Sequence, residues 1–191
     1  MDYKVSFLFA GFLSIALLRH IFLLPLAPPI VRTPIDLRFR PSGKFVILQL
    51  TDLHYGEPFE GQDTNTTKLM EKLIEASKPD MIVVTGDLVT GYDWDGRNFT
   101  FYQSHWAEFT GVFKRMKVPY ALALGNHDSE ANLNRKEIMR LDLTNEFSLF
   151  PGDQGSDPEA GSDFVVRVKS SKESEKTSAL VWFLDTLRKS C

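Results

Sequence analysis

Short apolar runs alternate along this chain with longer stretches in which apolar residues recur three and four positions apart. Phe45 to Leu50 reads FVILQL, a near-continuous run that predicts a strand buried on both faces, and it stops at Thr51-Asp52. From about Thr66 to Ser77, Leu69, Met70, Leu73 and Ile74 fall at helical spacing; Thr66 or Thr67 supplies a cap and Pro79 a stop. Met81 to Val84 is the next strand, ending at Thr85-Gly86-Asp87, and a helix over roughly Tyr102 to Met116 follows. A strand from about Tyr120 to Leu124 stops at Gly125-Asn126-His127-Asp128, and a helix follows from about Asn134 to Thr144. Pro151 to Gly161 reads as a loop. Phe164 to Val168 and Ala179 to Leu184 read as two more strands, separated by the charged stretch Lys169 to Lys176, a solvated turn.

The order β, α, β, α, β, α implies an α/β fold, a mostly parallel sheet flanked by helices. Ligands of such folds bind at the carboxyl ends of the strands. Each of the three polar clusters just named falls at such an end.

The N-terminus is of another kind. Lys4 precedes an uncharged apolar run from Val5 to Leu18, the length of a signal-peptide core and short for a membrane span. Arg19 and His20 interrupt it, the chain is apolar again to Leu26, and Pro25, Pro28, Pro29 and Pro34 read as a linker. Residues 1–34 are therefore expected to be a signal peptide plus linker, with a signal anchor over residues 5–27 as the alternative. The expected destination is the secretory pathway, the product being secreted or vacuolar, or else membrane-anchored. Asn65-Thr66-Thr67 and Asn98-Phe99-Thr100 would then be acceptors for N-glycans. Cys191 is the single cysteine, so no intrachain disulfide can form. A formal net charge of -3 argues against a nucleic-acid partner, and 43% hydrophobic residues suffice for a core over residues 35–191.

Taken singly, each polar cluster has an ordinary explanation as a cap or turn. Three in succession, 35 residues apart (52 to 87) and then 39 (87 to 126), match the spacing of successive strand-helix-strand steps. Their residue types suit a pair of cations held by oxygen and nitrogen donors. Asp87, on the middle strand, is placed to bridge two cations and offset their repulsion. Asp52 and His54 can reach one of them, with the other ring nitrogen of His54 held by an acceptor, and Asn126 offers an amide oxygen to the other. His127 follows a ligand directly and is expected to stabilise a phosphoryl oxygen or protonate a leaving alkoxide, with Asp128 orienting it. Iron, zinc or manganese suits this mixture better than calcium.

Leu50-Thr51-Asp52-Leu53-His54, Gly86-Asp87 and Gly125-Asn126-His127-Asp128 resemble the DxH, GD and GNHD motifs of calcineurin-like metallophosphoesterases. The resemblance runs from Pro41 to Leu184 and is nearest the purple acid phosphatase-related branch of plants and fungi. It implies an αββα sandwich, of which residues 35–191 would be the N-terminal part. It also implies two metal ions, iron with zinc or manganese, and a phosphate-ester substrate, either a small molecule or a phosphoprotein. Two departures stand out. Purple enzymes place a tyrosine ligand three residues after the second aspartate; here that residue is Thr90, with Tyr92 beyond it, so no purple colour is expected and His54 substitutes in that shell. The family completes its site with GH and GHxH histidines, and no histidine follows His127. The chain is therefore expected to be a C-terminally truncated form, weak or inactive as an enzyme.

A non-catalytic binding or regulatory module on the same half-fold is the competing expectation. A nucleotide-binding domain is disfavoured because no glycine-rich phosphate loop follows Leu50. Asp93-Trp94-Asp95-Gly96 lacks the later acidic ligand of a calcium loop and reads as a tight turn. His105 and Trp106, inside the second helix, read as packing or surface residues.

Overall fold

The computed structural model describes residues 34–152, 163–171 and 175–186. The apolar N-terminal run, most of the expected Pro151–Gly161 loop and the last residues of the chain lie outside them. Among the described residues, no helix is long and apolar enough to cross a membrane.

Strands β1 (Ile47–Leu50), β2 (Met81–Thr85) and β3 (Tyr120–Ala123) form a parallel sheet in the order β1-β2-β3. The register pairs Leu50 with Val84 and Val84 with Leu122, so the three carboxyl ends lie level with one another. Helices α1 (Gln62–Ser77), α2 (Phe101–Met116) and α3 (Arg135–Asp142) alternate with them, as the periodicity predicted. Strands β4 (Phe164–Lys169) and β5 (Thr177–Phe183) make a separate antiparallel hairpin.

The core lies around β2 and β3. Met81, Ile82, Val84, Tyr120, Ala121 and Leu122 are wholly buried, and Met70 and Ile74 from α1, Phe109, Val112 and Phe113 from α2 and Ile138 from α3 pack into the same cluster. Ring contacts tie the layers together: Phe109 to Tyr55 at 5.8 Å and Phe113 to Tyr120 at 4.7 Å between centroids. Beyond β3 the chain returns, and Tyr120 exchanges backbone hydrogen bonds with Phe147 and Leu149.

Several expected boundaries shift, each for a local reason. The first strand begins two residues late because the Asp80 carboxylate accepts the Val46 amide at 2.7 Å, while the Val46 carbonyl accepts from Asp80. Nor is that strand buried on both faces: it is the edge of its sheet, and only Leu50 is buried, with Ile47 44% exposed. Helix α1 starts a turn early, after Gly61 in the left-handed region, and neither Thr66 nor Thr67 caps it. The Thr67 hydroxyl instead meets the Tyr55 hydroxyl at 2.8 Å. Helix α3 has the capping box its sequence signals, Asn134 accepting from the Glu137 amide and Glu137 from the Asn134 amide, both at 2.9 Å.

Period-two alternation in β5 turns Phe183 inward and leaves Leu180 and Trp182 outward, 49% and 66% exposed. The Asp93–Gly96 segment, expected to be a tight turn, instead begins at the end of a short 3-10 helix (Gly91–Asp93) and is extended at Trp94, while the Asp95 carboxylate accepts from the Arg97 and Asn98 amides. Asn65 and Asn98 are both exposed, and Asn98 accepts from the amide and hydroxyl of Thr100.

Candidate metal centre

Three loops leave the carboxyl ends of the parallel strands and are drawn together by their own backbones. Asp52 donates its amide to Gly86, His54 to Asp87, Tyr55 to Leu88, and Thr90 back to Tyr55, which zips the loop after β1 to the loop after β2. The loop after β3 approaches as closely as chemistry permits. A Cβ on Gly86 would lie 2.7 Å from Gly125 Cα, and one on Gly125 would lie 2.9 Å from the Asp87 carboxyl carbon. Only glycines allow this contact.

The consequence is a donor cluster. One ligand atom from each of Asp52, His54 and Asp87 lies within 4.8 Å of the others. All three residues have left-handed backbones, with φ of 52°, 47° and 51°, a conformation that costs a side-chain-bearing residue about 1 kcal/mol or more and that clusters at functional sites. The His54 ring is fixed from behind, its Nδ1 3.0 Å from the Thr90 hydroxyl, which leaves Nε2 facing Asp52 Oδ1 at 3.9 Å. With Nδ1–H donated to Thr90, Nε2 keeps a free lone pair, the tautomer that a metal ligand needs. Two carboxylates and an imidazole aimed at one point fit a divalent transition-metal cation.

Asn126 is exposed between Gly125 and His127, and the His127 amide donates to Asp87 Oδ1 at 3.0 Å. The His127 ring stands 6.0 Å from that of His54 and 5.1 Å from that of Tyr92. Tyr92 in turn donates its hydroxyl to Glu57 at 3.0 Å. Hydrogen bonds from Gln62 and then Tyr92 hold the Glu57 carboxyl below its usual range against the opposing effect of desolvation.

One expected role changes hands. Asp128 was expected to orient His127, yet its side chain is buried under the loops. It accepts the amides of Gly125 at 2.7 Å, Leu88 at 2.8 Å, Asp87 at 3.0 Å and Val89 at 3.3 Å, and the Tyr102 hydroxyl at 3.4 Å. Burial, the larger effect, raises its pKa, and the amide donors pull it back down. Asp128 thus pins the loops after β2 and β3 to each other. His127 is held instead by Glu130, whose carboxylate accepts from Nδ1 at 2.7 Å. Residue type had singled out neither Glu130 nor Glu57. The sequence signal for Glu130 is its place three residues after His127, the reach of a side chain across one turn.

Arg135 closes the floor. Almost fully buried, it donates to the Gly125 and Leu124 carbonyls at 2.7 and 3.0 Å and makes a two-point contact with Asp185.

The family model for the calcineurin-like phosphoesterase matches residues 45–185, and the chain belongs to that family. It is similar to the "probable inactive purple acid phosphatase 28" of Arabidopsis thaliana, 36% identical over 132 residues, which are 62% of this chain and 32% of that protein. The "probable inactive purple acid phosphatase 29" of the same plant is 35% identical over 116 residues, 28% of its length. The "phosphatase DCR2" of Saccharomyces cerevisiae is 26% identical over 161 residues, 76% of this chain and 27% of that one. The chain thus spans about a third of the length of the curated relatives it matches.

Proposed function

We propose that this chain carries the first half of a two-metal phosphoesterase site that acts on phosphate monoesters. The observation that supports the reading is the convergence of Asp52, His54 and Asp87 within 4.8 Å, beside His127. Asp52 and His54 would hold one cation and Asn126 the other, with Asp87 placed to serve both. When bound, the cations supply Lewis acidity toward the phosphoryl group and lower the pKa of water toward neutrality. Iron paired with zinc or manganese fits the donor set.

His127 faces the substrate. Its Nδ1 donates to Glu130, which orients the ring to hold a phosphoryl oxygen or to pass a proton to the leaving alkoxide. Four protein ligands shared between two cations are few, so the chain by itself binds metal weakly and turns over slowly. We further propose that residues 1–34 direct or anchor the chain in the secretory pathway, and that the exposed Asn65 and Asn98 carry glycans there.

The test is direct. The purified chain, given manganese, zinc or iron, is assayed with a chromogenic phosphomonoester; slow hydrolysis that disappears in Asp87→Ala supports the reading. Hydrolysis unaffected by that substitution overturns it. A second reading, a non-catalytic module on the same scaffold, draws on the "probable inactive" names of the Arabidopsis relatives. It predicts that Asp52→Asn and His127→Ala leave the protein's biological behaviour unchanged.

A further inference from the structure

A second donor cluster lies away from the centre, between the first two helices. Asp63 stands in the first turn of α1; His105 and Glu108 stand three residues apart on one face of α2. One ligand atom from each lies within 4.8 Å of the other two. As a sequence feature His105 read as packing or surface, yet its Nδ1 is buried and makes no hydrogen bond. A buried imidazole nitrogen without a partner has given up its hydrogen bond to water with nothing in return, so it calls for an explanation.

The geometry supplies one. Nδ1 of His105 lies 3.5 Å from Asp63 Oδ2, too far for a good hydrogen bond. Zinc binds nitrogen and carboxylate oxygen at about 2.1 Å, which sets neighbouring donors of a tetrahedron about 3.4 Å apart. The Asp63–His105 separation is that edge, and Glu108 is within reach of a third corner. The ring is also wedged in place: it meets Phe101 edge-on at 4.7 Å, and a Cβ on Gly56 would touch it at 3.0 Å.

We infer that Asp63, His105 and Glu108 form a separate site for a single zinc ion, three protein ligands with water as the fourth, clamping α1 to α2. The site bears on the metal centre through Gly56. That residue, two after His54, donates its amide to both oxygens of Asp63, at 3.2 and 3.1 Å. Zinc here fixes the carboxylate on which the loop carrying His54 rests. The inference does not depend on the chain's having phosphoesterase activity.

The experiment uses the full chain carrying Asp87→Asn, which disables the centre at the strand ends. It is dialysed against a buffered series of free zinc concentrations, and its metal content and thermal midpoint are read at each. We expect one zinc per chain and a midpoint that rises with zinc. Adding Glu108→Gln, an exposed change that leaves the zinc-free midpoint where it was, weakens uptake at least tenfold and abolishes the rise. Adding His105→Asn does the same, and cobalt in place of zinc gives the visible absorption of a four-coordinate ion only while all three residues are present. Zinc content and midpoint shift that persist unchanged in both Glu108→Gln and His105→Asn would overturn the assignment.

Discussion

Replacing Asp128 by asparagine separates two roles for a residue that sequence alone cannot distinguish. Its Oδ1 accepts from Leu88 and Val89, its Oδ2 from Asp87 and Gly125. An amide NH2 put in place of either oxygen turns an acceptor into a donor, so two backbone N–H groups lose their partner and confront another hydrogen-bond donor. Each buried, unsatisfied donor costs about 1–3 kcal/mol, so the pair costs about 4 kcal/mol. With a urea slope of about 2 kcal/mol per molar for a domain of this size, the unfolding midpoint falls by about 2 M. Circular dichroism during urea titration of Asp128→Asn against wild type reads this directly. If Asp128 served instead to orient His127, the isosteric change would spare stability and harm only turnover. A midpoint within about 0.3 M of wild type, on the same slope, refutes the pinning role.

Glu130→Gln should do the reverse: an unchanged urea midpoint, with kcat toward a phosphomonoester reduced about tenfold and KM held, because His127 loses its anionic partner. Gly125→Ala should lower the thermal midpoint by the equivalent of about 2 kcal/mol or more and abolish metal uptake at the strand-end centre alone, since the added methyl overlaps the Asp87 carboxylate. Alkaline titration followed by phenolate absorbance should show two late tyrosines. Burial pushes Tyr55 up to about 12 and Tyr102 well above the ordinary value. Because the folded values exceed the unfolded one near 10, the associated stability is complete below about pH 10 and is lost as pH climbs toward 12. Tyr55 and Tyr102 titrating near pH 10 in the folded chain would contradict that.

The sheet and its helices were legible because their signals are redundant. Each apolar run in β2 and β3 is bounded by Pro or Gly, and α2 and α3 carry both periodicity and a boundary signal. The start of α1 was not, since Gln62 to Asn65 are polar and its opening turn is fixed from outside, by the Gly56 amide on Asp63. Asp52, His54 and Asp87 converge because parallel strands in register end level, and the strand-helix-strand spacing, the residue types and the motif resemblance together pointed to that meeting of loops. What spacing could not assign was which neighbour supports which histidine. Asp128 and Glu130 are both carboxylates within three residues of His127, and the burial of one beneath the loops, decided by Gly86 and Gly125 packing together, sorted them. Thr90 was noted as an absent tyrosine, and its hydroxyl proved to be the support for the His54 ring.

Three of the proposed metal-gripping residues sit in backbone conformations that glycine would occupy more comfortably. If folding were the only demand on this chain, Asp52→Gly and His54→Gly would be improvements, relieving torsional strain and removing an exposed carboxylate and a partly buried imidazole that the hydrophobic core never uses. A purified His54→Gly chain should therefore withstand heat at least as well as its parent while losing metal from the strand-end centre. Robustness and chemistry pull in opposite directions at these loop tips, and a histidine and two aspartates kept there mark where the molecule tolerates weakness for the sake of what it binds.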